Sequence, residues 1–379
     1  VAVEFPPRPT WADIDLNALL HNLRQAQRFF QPHQRALTVV KADAYGHGAV
    51  PVARCFQRAG VCDFAVATLE EAIELRDAGI DDALLVLGGC HPGQEKAFMA
   101  YNLMPALLDP QMALRLSAAA EQQGCRIPAH LKIDSGMGRV GFLPNLLRDF
   151  LPQLQQLKGL EIVGLMSHLA CADELDSGVT LQQLERFRSV RQMLRDGGIV
   201  PRDIHISNSA GLSGWDVPEA TLMRPGIMLY GGLPGPDFDD KLELRPVMHL
   251  RSCISQLRTL PKGSGVSYGH NFYTERDTRV AVLPIGYADG YNRLWSNRGQ
   301  GILHGQKIPL IGRVCMDWIM FDVTDVPQAK VGDSITLLGF SEGLSILGDF
   351  WAEQLDTISY EVFCRIGSRV PRRYLGGPV

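Results

Sequence analysis

A lysine closes the short apolar run ALTVVK (36–41) and is followed at once by ADAYGHG. An ammonium group at the end of a buried strand has two readings. Either it snorkels out of the pocket it borders, or it is a desolvated amine held at a pocket mouth for Schiff-base chemistry. Gly46 and Gly48 let the backbone approach an anion closely, and the Tyr45 hydroxyl can donate to that anion. A lysine beside an anion cradle suits pyridoxal phosphate, with its aldehyde at one end and its phosphate at the other.

Other short stretches carry residues of matching chemistry. In HLKIDSGMGRVGF (130–142), Arg139 follows a Gly-Met-Gly turn, where its guanidinium can fork onto a carboxylate or sit in a surface ion pair. Lys132 lies inside the apolar part of the same stretch, so its amine must be paired, neutral or modified. His168 ends IVGLMSH (162–168) as a core histidine or as a ring packed on a flat cofactor. HISNSAG (205–211) offers Asn208, Ser209 and backbone N–H groups at a helix start, either a phosphate site or an ordinary cap.

MRPGIMLYG (223–231) pairs Arg224 with Gly226. An arginine against a pyridine nitrogen stays protonated and hands over no proton, so the ring would remain neutral and a weaker electron sink. In GVSYGHNF (265–272), Tyr268 is either a structural tyrosine or a second acid/base. RVCMDWI (313–319) presents Met316 and Asp317 beside Cys315.

These residues need a scaffold that gathers strand ends. Eight apolar runs alternate with amphipathic segments: 36–41, 64–67, 84–87, 104–108, 129–133, 162–168, 203–207 and 223–231. Between them, 69–79 and 181–198 have helical spacing, and Gly79 stands where a C-terminal cap belongs. Eight strands separated by helices predict an N-terminal (β/α)8 TIM-type barrel over residues 10–240. No GxGxxG follows the first strand, which counts against a dinucleotide-binding sheet. In such a barrel, chemistry lies at the C-terminal strand ends, where Lys41, Arg139, His168, Ser209 and Gly226 all fall.

Beyond about residue 240 the texture becomes β-rich and punctuated by Gly, Pro and Asp, predicting a mainly β domain over 241–379. Residues 347–366 read as a helix within it. An N-terminal strand at about 1–14 is expected to pair with this domain.

Composition narrows the class further. The chain has 379 residues, is 46% hydrophobic and 21% charged, and carries a formal net charge of -4. Those values predict a globular protein, and the lack of a long basic run argues against nucleic-acid or membrane-surface partners. No apolar stretch reaches transmembrane length. Eight scattered cysteines with no CxxC and no HExxH predict no metal site and a reducing, cytoplasmic location. VAVEFPPRP does not read as a signal peptide, and the missing initiator methionine leaves open whether a leader was removed.

Taken in order, VVKADAYGHG, HLKIDSGMGRVGF, MSHLACADE, SNSAG, MRPGIMLYG, SYGHNF, IGYADGYNR, GRVCMD and ISYEVFCRIGSRVPRRY resemble the alanine racemase family along essentially the whole chain. The resemblance implies pyridoxal phosphate on Lys41 and a bacterial enzyme that makes D-alanine for peptidoglycan. It implies that Tyr45, Ser209, Gly226, Ile227 and Tyr360 hold the phosphate, that Asn208 belongs to the cofactor site, that Arg224 faces the pyridine nitrogen, and that His168 lines the site. Arg139, Met316 and Asp317 would meet the substrate, and Lys132 is the carbamylation candidate. Asp173, Tyr287, Arg293 and Arg313 would line the access path, with Tyr360. A head-to-tail homodimer is implied, with Tyr268 and the Met316 loop reaching the partner's site.

Inverting a carbon requires removing a proton from one face and returning one to the other, so Lys41 and Tyr268 form a natural two-base pair. Ser207 departs from the family pattern, where alanine is common. Three other readings remain: a broad-spectrum racemase, a decarboxylase of the same two-domain build, and a non-catalytic pyridoxal-phosphate carrier.

Overall fold

A computed structural model describes residues 7–377 of the chain. Seven parallel strands follow one another around the barrel: Thr38–Val39, Asp63–Val66, Ala83–Val86, Met104–Leu107, Ile127–Lys132, Leu160–Met166 and Asp203–His205. The eighth, Leu222–Met223, pairs in parallel with Arg35–Ala36, which runs directly into Thr38–Val39. Leu37 N–H donates to Met223 O at 2.8 Å and Thr221 N–H donates to Ile204 O at 2.8 Å, so the eighth strand is bonded on both sides. At the opposite end from the strand-end chemistry, Arg35 bridges Asp63 and Asp203, each at 2.7 Å.

Local sequence explains the pieces. All four residues of Asp63–Val66 are buried, as expected of a parallel strand covered on both faces. Thr68 caps Leu69–Asp77, and Gly79 at φ +81° ends that helix. Asp109 accepts from Met112 N–H, and Pro110 opens Pro110–Gln122 with a φ already suited to a first turn. The segment at 181–198 starts earlier than its periodicity indicates and forms Gly178–Asp196.

Two expectations are corrected. The run at 223–231 is not one strand: Pro225 lacks an N–H, Gly226 adopts φ -127° and ψ -98°, and Ile227–Tyr230 winds into a 3-10 turn. The run at 347–366 is not one helix, because Asp356 at φ +53° separates Gly348–Leu355 from Ser359–Cys364.

Thr10–Asp15 belongs to the β-rich sheet. It lies between Met248–Cys253, antiparallel, and Arg372–Leu375, parallel. Positions 1–6 of the strand expected at about 1–14 lie outside the described residues. Ser334–Ser341 continues the sheet beside Met248–Cys253, and Gln300–Leu303 and Gln306–Pro309 extend it. A second sheet joins Gln256–Leu260, Thr278–Leu283 and Ile319–Asp322. Arg372 ties the larger sheet to the barrel mouth, donating to Gly46 O through Nε (3.0 Å) and Nη2 (2.8 Å). No helix among the described residues is long and apolar enough to cross a membrane.

Candidate active site

A cavity of about 280 Å³ opens at the C-terminal ends of the barrel strands. Lys41 enters it after the first strand, Lys132 from the fifth, His168 after the sixth, Asn208 and Ser209 after the seventh, and Arg224 after the eighth. Tyr45, Arg139, Gly226, Ile227 and Tyr360 also line it.

The turn behind Lys41 is left-handed. Ala42, Asp43, Ala44 and Tyr45 have φ between 51° and 54°, and none is glycine. Each such residue costs about 1–2 kcal/mol, so the surroundings must impose the shape. Ala42 N–H donates to Glu71 Oε1 at 2.6 Å, and Ala49 N–H donates to Asp43 Oδ1 at 2.7 Å. Arg372 holds Gly46 O from the β-rich sheet. Gly46 tolerates no side chain, since a Cβ there would lie 2.5 Å from Phe363 O. Burial lowers the pKa of Lys41, and Arg139 and Arg224 add to the shift while Glu71 opposes it. A lowered pKa gives more of the free amine, the form that attacks an aldehyde.

Arg224 is 4% exposed. Nη1 donates to His205 Nδ1 at 2.9 Å; Nη2 faces Ser167 O (2.7 Å), Ile206 O (2.8 Å) and His168 Nδ1 (3.1 Å). Both imidazoles therefore accept at Nδ1 and carry their proton on Nε2. His205 Nε2 then donates to His130 Nδ1 at 2.8 Å. Burial pushes His130 down to about 4 and holds His168 and His205 well below their ordinary value, so all three rings are neutral. Burial also brings Arg224 down to about 9, which leaves it charged near neutral pH. Lys132 is pushed down to about 7 by burial and by the Arg224 and Arg139 charges, so a substantial fraction is neutral amine at pH 7.

The lining fits pyridoxal phosphate. A Cβ on Gly226 would stand 2.7 Å from Tyr45 Oη and 3.9 Å from Ser209 Oγ, so the missing side chain opens a cradle between two hydroxyls. Ile227 starts a 3-10 turn and Ser209 starts a short helix, and first-turn N–H groups have no intrahelical acceptor. Gly226 N–H donates to Ser209 Oγ at 2.9 Å, orienting that hydroxyl. The four bonds of Arg224 run through Nη1 and Nη2 and leave Nε–H for a ring nitrogen.

The remaining sequence candidates do not line the Lys41 cavity. Tyr268 sits in a turn that follows Ser267 at φ +63°, is 72% exposed, and lines a separate cavity of about 620 Å³. Ser267 Oγ donates to Arg313 O at 2.8 Å, which joins this turn to the RVCMD loop. Ala288 N–H donates to Met316 O at 3.1 Å, and Tyr287 and Arg293 line a further cavity on that side. Met316 is exposed, and Asp317 is held by Arg369 at 2.7 Å rather than entering the Lys41 cavity. Asp173 is exposed and packs against Gly235; burial first, then Asp173 and Asp349, raises the Tyr360 phenol. Ser207 is buried, with its hydroxyl unpaired.

Sequence reasoning missed Glu71, Arg372, His205 and His130. The T-x-x-E signature of residues 68–71 marks Glu71 as a helix-capping residue, but not its second partner. HISNSAG and HLKID contain the two histidines, each on a barrel strand. Their pairing depends on strands two apart and leaves no local signature.

Residues 14–234 match the family described as alanine racemase, N-terminal domain, and residues 247–374 match alanine racemase, C-terminal domain. The alanine racemase of Geobacter sulfurreducens is 45% identical over 372 residues, 97% of each chain. Among solved structures, the alanine racemase of D-cycloserine-producing Streptomyces lavendulae superposes with a TM-score of 0.92 at 36% identity, covering 99% of both chains. That of Bacillus anthracis with bound L-Ala-P superposes with a TM-score of 0.92 at 31% identity, over 99% of this chain and 96% of that one.

Proposed function

The chain belongs to the alanine racemase family, and on that premise we propose how its own residues divide the work. The activity is the pyridoxal-phosphate-dependent interconversion of L- and D-alanine, whose general role is to supply peptidoglycan. When bound, the cofactor withdraws electrons from the amino acid's α-carbon and makes its proton removable.

Lys41 and Arg224 share one cavity, and that observation carries the reading. Lys41 would hold the cofactor's aldehyde end, and its Nζ would exchange a proton with one face of the α-carbon. Tyr268 Oη serves the other face. Tyr45, Ser209, Gly226, Ile227 and Tyr360 hold the phosphate, and Asn208 lines the same cofactor site. Arg224, backed by neutral imidazoles and carbonyls, faces the ring nitrogen without protonating it. A decarboxylase of this build should present an acidic group there, so Arg224 argues against that rival.

Arg139 and the Met316 N–H bind the substrate carboxylate, with Asp317 beside them. Lys132, already pushed down to about 7, supplies the free amine that carbamylation requires. Asp173, Tyr287, Arg293 and Arg313 line the access path. Because Tyr268 and Met316 are exposed and lie outside the Lys41 cavity, they complete the site of a second copy in a homodimer. The barrel assignment extends over 10–240 and the β-rich domain over 241–379. Free, buried thiols such as Cys55 and Cys90 support a cytoplasmic location.

The test is incubation of L-alanine with protein and pyridoxal phosphate in D2O, followed by chiral chromatography and mass spectrometry. D-alanine carrying deuterium at the α-carbon is expected. Unchanged L-alanine from protein with bound cofactor would sink the assignment.

A further inference from the structure

In a capping box the N3 glutamate turns back to the N–H of its own helix cap. Glu71 does this with Oε2, which accepts from Thr68 N–H at 3.2 Å and from Ala67 N–H at 2.7 Å. Its Oε1 leaves the helix and accepts from Ala42 N–H at 2.6 Å, across 29 positions of sequence. The helix gains nothing from that second contact. Ala42 directly follows Lys41 and is the first of the four left-handed residues.

We propose that Glu71 is a positioning residue for Lys41, acting through the N–H of Ala42. The peptide unit between Lys41 and Ala42 is planar, so anchoring its N–H fixes the rotation about the Lys41 Cα–C bond and the φ of Ala42 together. Those two angles decide where the chain enters the left-handed turn and hence how the Lys41 Cα–Cβ bond is aimed. Without the anchor, the strained turn relaxes at its first residue, and a long flexible side chain reaches the cavity from a moving base. From the other end, Arg372 holds Gly46 O, so the segment 42–46 is pinned at both ends. This inference rests on the reading of Lys41 as the cofactor lysine.

The experiment compares Glu71→Ala, Glu71→Gln and Thr68→Ala with the wild type. Thr68→Ala removes the capping hydroxyl and leaves the Glu71–Ala42 bond, so it reports what a purely helix-capping role is worth. First, borohydride reduction of wild-type protein with pyridoxal phosphate, followed by peptide mapping, locates the modified lysine. A label anywhere other than Lys41 overturns the underlying reading and this inference with it.

With the label on Lys41, Glu71→Ala is expected to lower kcat and the rate at which apoprotein captures pyridoxal phosphate by roughly 10- to 100-fold, with KM little changed. Amide exchange at Ala42 should accelerate. Glu71→Gln keeps one acceptor oxygen, so it bonds Ala42 N–H only by turning its NH2 toward the Ala67 and Thr68 N–H groups, and it should recover only part of the loss. Thr68→Ala should lower Tm while leaving kcat and capture within about twofold. The proposal fails if Glu71→Ala matches Thr68→Ala in kcat and capture rate. Unchanged Ala42 exchange in Glu71→Ala would also overturn it.

Discussion

At the barrel mouth, Arg224 is 4% exposed and bonded to two histidines and two carbonyls, and the turn after Lys41 is pinned at both ends. On the β-rich unit, Tyr268 is 72% exposed and projects from a turn whose neighbours lie in another cavity. Both regions carry proposed catalytic groups, yet only one is pre-shaped within a single chain. A charged group that tunes a cofactor must be desolvated and fixed before substrate arrives. A group that completes a neighbour's site can wait exposed until association buries it.

The largest expected effect tests the exposed half. Tyr268→Phe removes one phenolic hydroxyl and should lower racemisation by about 100- to 1,000-fold, a general acid/base contribution. Cofactor absorbance should stay normal, because Tyr268 is outside the Lys41 cavity. Exchange of the α-proton in D2O should persist for one enantiomer of alanine, the one Lys41 serves. Equal loss of exchange from both enantiomers would break the division between faces.

Mixing inactive Lys41→Ala with Tyr268→Phe under conditions of subunit exchange sharpens the same contrast. If each site draws on two copies, random pairing leaves one intact site in half of the dimers, restoring about a quarter of wild-type activity. Activity remaining at the level of the two parents would mean that each chain builds its own site.

Acid should unsettle the buried half. His130 is held down to about 4 and His47 to about 3 by burial, so the folded state keeps both neutral where the unfolded chain protonates them. The stability this gives is complete above the unfolded histidine pKa of about 6.5 and falls as pH drops toward the folded values. At pH 5 the loss is about 2 kcal/mol per buried ring. Urea unfolding at pH 7 and pH 5 measures it, and His130→Asn should shrink the difference by about 2 kcal/mol, one ring's share.

The smallest effect belongs to Ser207→Ala. Its hydroxyl is buried and unpaired, so its removal should change Tm little or raise it, within about 1 kcal/mol. A large destabilisation would show that the hydroxyl has a partner when the site is loaded.

Much of this division was legible in the sequence. Strand-end chemistry is written locally: Lys41 and His168 close apolar runs, Ser209 follows one and Arg224 stands at the start of another, and a parallel barrel turns eight such runs into one mouth. The left-handed turn was not legible, since ADAY contains no glycine and its φ values are imposed by Glu71 and Arg372 from distant elements. The break at Asp356 was hidden for a similar reason: the apolar pattern of 347–366 continues through it. Which candidates share a cavity is a tertiary fact, and spacing along the chain separates Tyr268 from Lys41 no more clearly than it separates Arg224.

The strand Thr10–Asp15 also sets an order of events during synthesis. It emerges before any barrel strand, yet its neighbours, Met248–Cys253 and Arg372–Leu375, emerge only after the whole barrel. Arg372, on the later of these, is also the residue that grips Gly46. The nascent barrel therefore leaves the ribosome with one end of its lysine turn unfastened and an unpaired strand trailing ahead of it. Translation must pass Arg372 before that turn is fastened, so the ability to hold the cofactor firmly is acquired only after the whole barrel has been made.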